Sequence, residues 1–152
     1  ATNFGAGYIS LKRVSGAVAA LSENTASINT SGTSGDATRG IVVGRGSAAE
    51  DFEGYILNTQ CINGTGANQF THGAHATVAQ AYVSGTKTWT VTLSRPFTNT
   101  SGNQIDVTEA GMYAYIYTTP VMIWRDLLGA TVSVPNNAVL TVSYPMTLTL
   151  PA

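Results

Sequence analysis

The last part of the chain alternates between apolar and polar side chains. Between residues 140 and 150 the even positions are apolar, and the odd positions are mostly threonine and serine. Because successive side chains of a strand point to opposite faces of a sheet, this pattern predicts one long strand with its even face buried. Pro145 has no N–H to donate, which places the strand at a sheet edge or at a bulge. The predicted buried positions are Leu140, Val142, Tyr144, Met146, Leu148 and Leu150.

Shorter strand-like runs precede this one. Residues 89–94, 104–108, 111–117 and 121–128 are rich in β-branched and aromatic side chains, and breaks containing Gly, Asn or Pro separate them. Short strands with a turn about every 8 to 12 residues are typical of antiparallel sandwiches and barrels. We predict an all-β fold, a single antiparallel β-sandwich of the jelly-roll or immunoglobulin-like kind.

The first forty residues do not follow this pattern. Residues 8–14 are compatible with a strand, whereas residues 25–40 are almost wholly Ser, Thr, Gly, Asn and Ala. Such a composition buries little apolar surface, so it predicts a segment that is flexible or that becomes ordered against a partner. We therefore expect a strand and arm over residues 1–40 and a sandwich domain over residues 41–152. The predicted docking residues of the arm are Tyr8, Ile9, Leu11 and Val14.

Charge is scarce along the chain. Hydrophobic residues make up 43% of the sequence and charged residues 10%, and the net charge is −1. Such a balance lacks the basic footprint of a nucleic-acid-binding protein. The apolar stretches alternate with polar residues or stop well short of the roughly 20 residues that a membrane helix needs. We expect neither nucleic acid nor membrane as a partner.

Few residues offer catalytic or metal-binding chemistry. His72 and His75 lie three positions apart, but no third ligand accompanies them, so we expect exposed loop histidines. Asp51 and Glu53 have no nucleophile nearby, which favours a solvated edge or turn over an acid/base pair. Cys61, the only cysteine, lacks an adjacent base and is predicted to be a buried, inert thiol. We predict no catalytic, cofactor-binding or metal-binding residues, and no enzymatic activity.

The charged residues inside predicted strands require a different explanation. Buried or half-buried charges need partners. We expect Glu109 or Asp126 to pair with Arg125 or Arg95 as a structural polar tie across strands.

Aromatic residues cluster in the second half of the chain. Tyr113, Tyr115 and Tyr117 share one face of a predicted strand. Together with Trp124 they are expected to form core or subunit interface, because one face of a sheet normally packs inside a sandwich. The competing interpretation is a sugar-stacking platform made by Tyr82, Trp89, Tyr113, Tyr115, Tyr117 and Trp124.

Six segments of the chain carry a family resemblance. They are GRGSAAEDF at 44–52, YIL at 55–57, RPFTNTSG at 95–102, VTEAGMY at 107–113, RDLL at 125–128 and VSVPNNAVLTV at 132–142. These segments resemble small virion structural proteins of tailed phages and prophages. The pattern of that family looks like a "TExGLY" strand, followed by an "RD" strand and a "VxVPxGxxLTVxY" hairpin. This chain has asparagine at position 137, where glycine is commoner, and asparagine can still adopt the left-handed turn conformation.

The resemblance implies a non-enzymatic subunit that decorates a capsid or forms part of a tail or fibre. Its expected partners are copies of itself, in a trimer or helical array, and virion proteins such as the major capsid or tail proteins. Its expected location is the virion, after synthesis in the host cytoplasm. Two alternatives stay open: an extracellular, pilus-like filament subunit that polymerises by strand exchange through its arm, and a carbohydrate-binding adhesion module for a host-surface glycan.

Overall fold

A computed structural model describes residues 9–21, 28–51, 54–116 and 119–151. These residues form ten strands and no helix, so the described part of the chain contains no helix that could span a membrane. The strands are β1 (Ile9–Lys12), β2 (Val18–Leu21), β3 (Ile28–Asn29), β4 (Gly40–Gly44), β5 (Thr71–His72), β6 (Ala79–Val83), β7 (Thr88–Thr98), β8 (Ile105–Ile116), β9 (Thr119–Val134) and β10 (Val139–Thr149).

Two antiparallel sheets pack against each other. In the first sheet β7 is central, with β10 along one edge and β5 and β6 along the other. In the second sheet β8 is central, with β9 along one edge and β3 and β4 along the other. The predicted all-β fold, a single antiparallel β-sandwich, is confirmed.

The core lies between the two central strands. Phe97 of β7 and Met112 of β8 are fully buried in it, as are Ile41 and Val43 of β4 and Phe70. Leu93 and Tyr144 are partly buried against this cluster. Burial of these apolar side chains is the main favourable contribution to folding.

A bulge changes which face of β8 points to the core. Before it, Ile105 and Val107 point inwards, and after the register shift between Val107 and Glu109 the inward residues are Ala110 and Met112. At this shift one residue of β8, Thr108, stands opposite four residues of β9, 128–131, and the inward alternation of β8 changes across it. Glu109 and Tyr113 therefore lie on the face of β8 that points away from the sandwich core.

The long C-terminal strand is only partly buried. β10 pairs with β7 alone and lies at a sheet edge, as Pro145 predicted. Its even side chains pack against the core as far as Tyr144, whereas Met146, Leu148 and Leu150 are exposed. The expectation that the whole even face is buried is wrong beyond Tyr144, because apolar packing between the two sheets ends at that level.

The arm region lies against the sandwich where it is described. Tyr8 falls outside the described residues, and the backbone of Ile9 and Leu11 belongs to β1, which pairs with β2 of the same chain. Val14 packs beside Val42, and its N–H donates to the carbonyl of Pro120. Within residues 28–40, Ile28 and Asn29 of β3 and Gly40 at the start of β4 pair with β8 of the second sheet.

Candidate functional site

One end of the first sheet has an uncovered inner face. The register between β7 and β10 runs without a shift, so Trp89 and Val91 lie on the same face as the core residues Leu93 and Phe97. Across β10 this face continues through Met146 and Leu148, and across β6 through Tyr82, with the polar Gln80 at the edge opposite Val91. We call this surface the open face; it consists of Tyr82, Trp89, Val91, Met146, Leu148 and Leu150.

The open face is apolar and strongly exposed. Leu148 is 62% exposed, Tyr82 49%, Met146 44% and Trp89 42%. The rings of Tyr82 and Trp89 lie 5.9 Å apart between centroids, tilted by 37°. A contiguous apolar patch of this kind on a soluble protein marks a surface for a partner.

The surroundings of the open face carry almost no charge. Lys87 is the only charged residue in residues 76–94 and 139–151, the segments that form this end of the sheet. The opposite face of the same strands is lined mainly by threonine and serine. The N–H of Leu150 donates to the carbonyl of Lys87 at 3.0 Å, which ties the end of β10 to the β6–β7 turn. The open face is therefore held on paired strands and offers a partner no charge of its own.

The outer edges of this sheet differ in their protection. β6, Ala79–Val83, is exposed along its length and contains no proline or charged residue. Such an edge offers unpaired backbone groups to another strand. β10 carries Pro145, which lacks a donor and blunts its edge.

A buried ion pair lies on the far side of the second sheet. Arg125 donates from Nε to Oε2 of Glu109 at 2.7 Å, and Glu109 is fully buried. Oε1 of Glu109 also accepts the backbone N–H groups of Gly46 at 3.0 Å and Thr59 at 3.1 Å. The carboxylate therefore ties β9 and the segment after β4 to the outer face of β8.

Asp126 does not take part in that tie. It is exposed on β9, and its carboxylate interacts with the hydroxyl of Tyr144. Burial raises the pKa of Tyr144 above its ordinary value, and the bond to Asp126 raises it further. Of the three residues expected to form the tie, the structure brings together Glu109 and Arg125.

Arg95 forms a second buried polar centre. Its guanidinium donates to five backbone carbonyls: from Nε to Gly73, from Nη1 to Arg39 and Ile41, and from Nη2 to Thr33 and Asp36, at 2.6 to 3.0 Å. Arg95 is fully buried. Of the two arginines named as alternative partners in the tie, Arg125 is the one that pairs with Glu109, whereas the five N–H groups of Arg95 bind carbonyls. One feature of the sequence indicates that Arg95 is buried. It occupies one of the odd positions of β7, and the other odd positions are apolar.

The two histidines belong to the same centre. His72 lies in β5 and is fully buried, with Nε2 3.0 Å from the carbonyl oxygen of Cys61. His75 accepts the N–H of Ile41 on Nε2 at 2.9 Å, beside Gly40, whose φ of +83° suits glycine. The expectation of exposed loop histidines is wrong, because both rings satisfy buried backbone groups. Among the described residues no group of three or more His, Cys, Asp or Glu is placed to hold a metal ion.

This centre predicts a stability loss in mild acid. Burial, together with the smaller effect of the nearby charge of Arg95, lowers the pKa of His75 from its ordinary 6.5 to about 4. Burial also lowers the pKa of His72. Below about pH 6.5 the unfolded chain therefore binds protons that the folded chain does not. The contribution of the histidines to the free energy of unfolding is fully present above about pH 6.5 and decreases as the pH falls towards 4. The loss per histidine is at most about 1.4 kcal/mol per pH unit, and less for the partly exposed His75.

Urea unfolding at pH 7.5 and pH 5.0 measures this loss. His75→Gln is the matched variant, because a glutamine oxygen can accept the N–H of Ile41 and does not titrate. We expect a smaller difference between the two pH values for His75→Gln than for the wild type. Equal differences would contradict a contribution from His75.

The tyrosines of β8 are occupied within the chain. Tyr113 is fully buried beside Leu57, and its hydroxyl accepts the N–H of Leu57 at 2.8 Å. Burial raises the pKa of Tyr113 to about 12. Tyr115 is half-buried under the guanidinium of Arg39, and Tyr117 lies outside the described residues. Buried rings cannot stack on a sugar, so Tyr113 offers no glycan platform.

The remaining candidates sit apart from the open face. Trp124 packs edge-to-face on Tyr144, with centroids 5.4 Å apart. Cys61 is buried, and burial raises its pKa to about 11, which keeps the thiol protonated. Asp51 is exposed, and Glu53 falls outside the described residues.

No family model, curated protein or solved structure matches this chain. Its function is therefore inferred from the arrangement of its own residues. Both buried polar centres use their charged groups to bind backbone within the fold. The open face is an exposed apolar surface of the described residues that suits a binding partner. The sequence did not predict this surface, because the even side chains along all of β10 were expected to be buried.

Proposed function

We propose that this protein is a non-enzymatic structural subunit of a phage virion. It acts by associating with copies of itself and by docking on other virion proteins, as capsid decoration or as part of a tail or fibre. The observation that carries the proposal is the open face, a rigid apolar surface that nothing in the described chain covers. The similarity of six segments to small phage structural proteins supports the same assignment.

The chemistry of the buried groups also supports a structural role. Arg95 has each of its five N–H groups on a carbonyl, and Glu109 has its carboxylate on Arg125 and backbone N–H groups. Groups bound in this way stabilise a scaffold, and a substrate would have to displace their present partners. The charge-poor surface suits assembly with protein partners, because like-charge repulsion between copies is small.

The filament alternative receives less support. It requires the arm strand to complete the sheet of a neighbouring copy. In the structure β1 pairs with β2 of its own chain, and Arg13 forms a bridge with Val121. The arm strand is thus already used within the chain.

A carbohydrate-binding module is the second candidate, and one pair of rings favours it. Tyr82 and Trp89 are exposed on the open face, whereas Tyr113 is buried. Of their neighbours, Leu148 has no hydrogen-bonding group and Met146 has only a weak sulfur acceptor, so the amide of Gln80 is the main polar group near the rings. A glycan array would test this candidate, and binding that disappears in Trp89→Ala would support it over the structural role.

The first test of the proposal is the mass of the purified chain in solution. Light scattering over a range of concentrations, with negative-stain imaging of the same samples, should show a discrete oligomer above the 15.8 kDa of one chain. A monomer at every concentration would contradict self-association, and fibres growing from the pure subunit would favour the filament.

The second test asks whether the protein belongs to a particle. Antibodies against the purified chain, coupled to gold, should label phage particles released by the source host. Label on heads would indicate decoration, and label on tails would indicate a tail or fibre subunit. Particles without label, in a lysate that contains the protein, would contradict the virion assignment.

A further inference from the structure

We propose that the open faces of two copies pack on each other across a two-fold axis. This inference rests on the proposed function, because it specifies the surface through which the subunit associates. The open face is the continuation of the face that forms the core further along the same strands. The interface would then be a second, shared sandwich core built from one sheet of each copy.

The geometry of the sheet suits face-to-face packing. Sheets stack about 10 Å apart, with the apolar side chains of their facing sides interdigitated. β7 already uses Leu93 and Phe97 in this way against the second sheet. Trp89 and Val91 occupy the next positions on the same face, and β10 places Leu148 directly opposite Trp89. A second sheet could therefore pack on this end without a change in the strands.

The exposed apolar area of the open face is large enough for an interface between two copies. Five residues of the open face expose 42% to 62% of their surface: Tyr82, Trp89, Met146, Leu148 and Leu150. Since side chains of this size bury about 150–250 Å² each at most, the apolar area available is roughly 500 Å² per copy. Two copies would bury roughly 1,000 Å² in total, which reaches the lower limit of specific interfaces.

Charge favours a second copy as the occupant. A two-fold interface brings the same surface patch together twice, so any charge near the axis meets its own like charge. The end of the sheet that carries the open face has Lys87 as its single charged residue. A partner recognised by electrostatic complementarity, such as nucleic acid or an anionic surface, would need several cations here. A second copy would instead bring an equally apolar, uncharged surface to the open face.

Leu148→Glu is the variant that tests the interface. Leu148 is 62% exposed, so a glutamate there leaves the monomer able to fold but puts a charge into the proposed shared core. Thr147→Glu is the matched control, because it adds the same charge to the adjacent exposed position on the opposite face of β10. Sedimentation velocity over a concentration series should show a wild-type dimer. We expect its dissociation constant to rise at least about 30-fold in Leu148→Glu and less than about threefold in Thr147→Glu.

A fluorescence measurement on the same three proteins checks the location. Acrylamide quenching of Trp89 should decrease as the wild type and Thr147→Glu associate, and should stay high in Leu148→Glu. Trp124 packs on Tyr144 in the core and supplies a constant background. Far-UV circular dichroism shows that each variant is folded.

The outcomes separate this inference from the proposed function. An oligomer that is not built from dimers, or one that both variants leave unchanged, would overturn the paired open faces while self-association stands. The same holds for an association that protects Trp89 in none of the three proteins. A wild type that stays monomeric would overturn this inference together with the self-association that it specifies.

Discussion

Arg95→Lys should lower the free energy of unfolding by about 3–5 kcal/mol, the largest effect we expect from a single substitution. A lysine keeps the positive charge but has three donors on one nitrogen, so it cannot reach five carbonyls that converge from different segments. The carbonyl of Ile41 is buried and the other four are partly buried, and an unsatisfied buried group costs about 1–3 kcal/mol. Since a domain of this size is stable by about 5–15 kcal/mol, this loss is a large fraction of its free energy of unfolding.

Urea unfolding at pH 7.5 measures the change, with Arg45→Lys as the matched control. Arg45 is exposed, so its replacement should change the free energy of unfolding by no more than about 0.5 kcal/mol. Hydrogen exchange gives a second measurement, because the segment between Thr33 and Ile41 should exchange faster in Arg95→Lys. A loss below about 1 kcal/mol, with unchanged exchange, would show that the carbonyl bonds do not hold this segment in place.

The sequence predicted the strands better than it predicted their surroundings. The period-2 alternation of residues 140–150 matches β10 closely, because pleating dictates that alternation whatever lies above the strand. The extent of burial along β10 depends instead on how far the opposite sheet reaches. The pattern from Leu140 to Leu150 is therefore the same where the strand is covered and where it is open.

The face of β8 was harder to predict because of its bulge. Alternation read from Tyr113 to Tyr117 identifies residues on one face, but the shift between Val107 and Glu109 decides whether that face is the sandwich core. A bulge has no fixed residue signature in this segment. Tyr113 is buried, but it packs against Val42 and Leu57 on the outer face of β8 and not in the expected core between the sheets. Its partner Leu57 comes from a segment with no clear pattern.

The buried polar centres show the same limit. Arg95 binds carbonyls of Gly73 and of a Ser/Thr/Gly-rich stretch, and a carbonyl is present at every residue whatever its side chain. No motif can therefore encode these partners. Glu109 and Arg125 were more accessible to sequence reasoning, because scarce charges inside strands require a partner of opposite sign.

Arg125→Met should lower the free energy of unfolding by about 2–4 kcal/mol. Methionine preserves much of the side-chain volume but removes the cation that lies 2.7 Å from Oε2 of Glu109. Glu109 is fully buried, so its carboxylate cannot regain water without local opening of the fold. The N–H groups of Gly46 and Thr59 still bind Oε1, which keeps the expected loss below that of a fully unpaired buried charge.

A double-mutant cycle separates the ion pair from side-chain packing. In Glu109→Gln the oxygen can still accept from Gly46 and Thr59, so combining it with Arg125→Met removes both charges and keeps those bonds. We expect the double variant to be less destabilised than the sum of the single variants, by about 0.5–3 kcal/mol. If Arg125→Met melts like the wild type, or if the two effects simply add, the ion pair does not contribute to the stability of the fold. A clear coupling would show that one buried carboxylate holds β9 and the segment after β4 together on β8, because Arg125 also donates to the carbonyl of Ala48 at 2.8 Å.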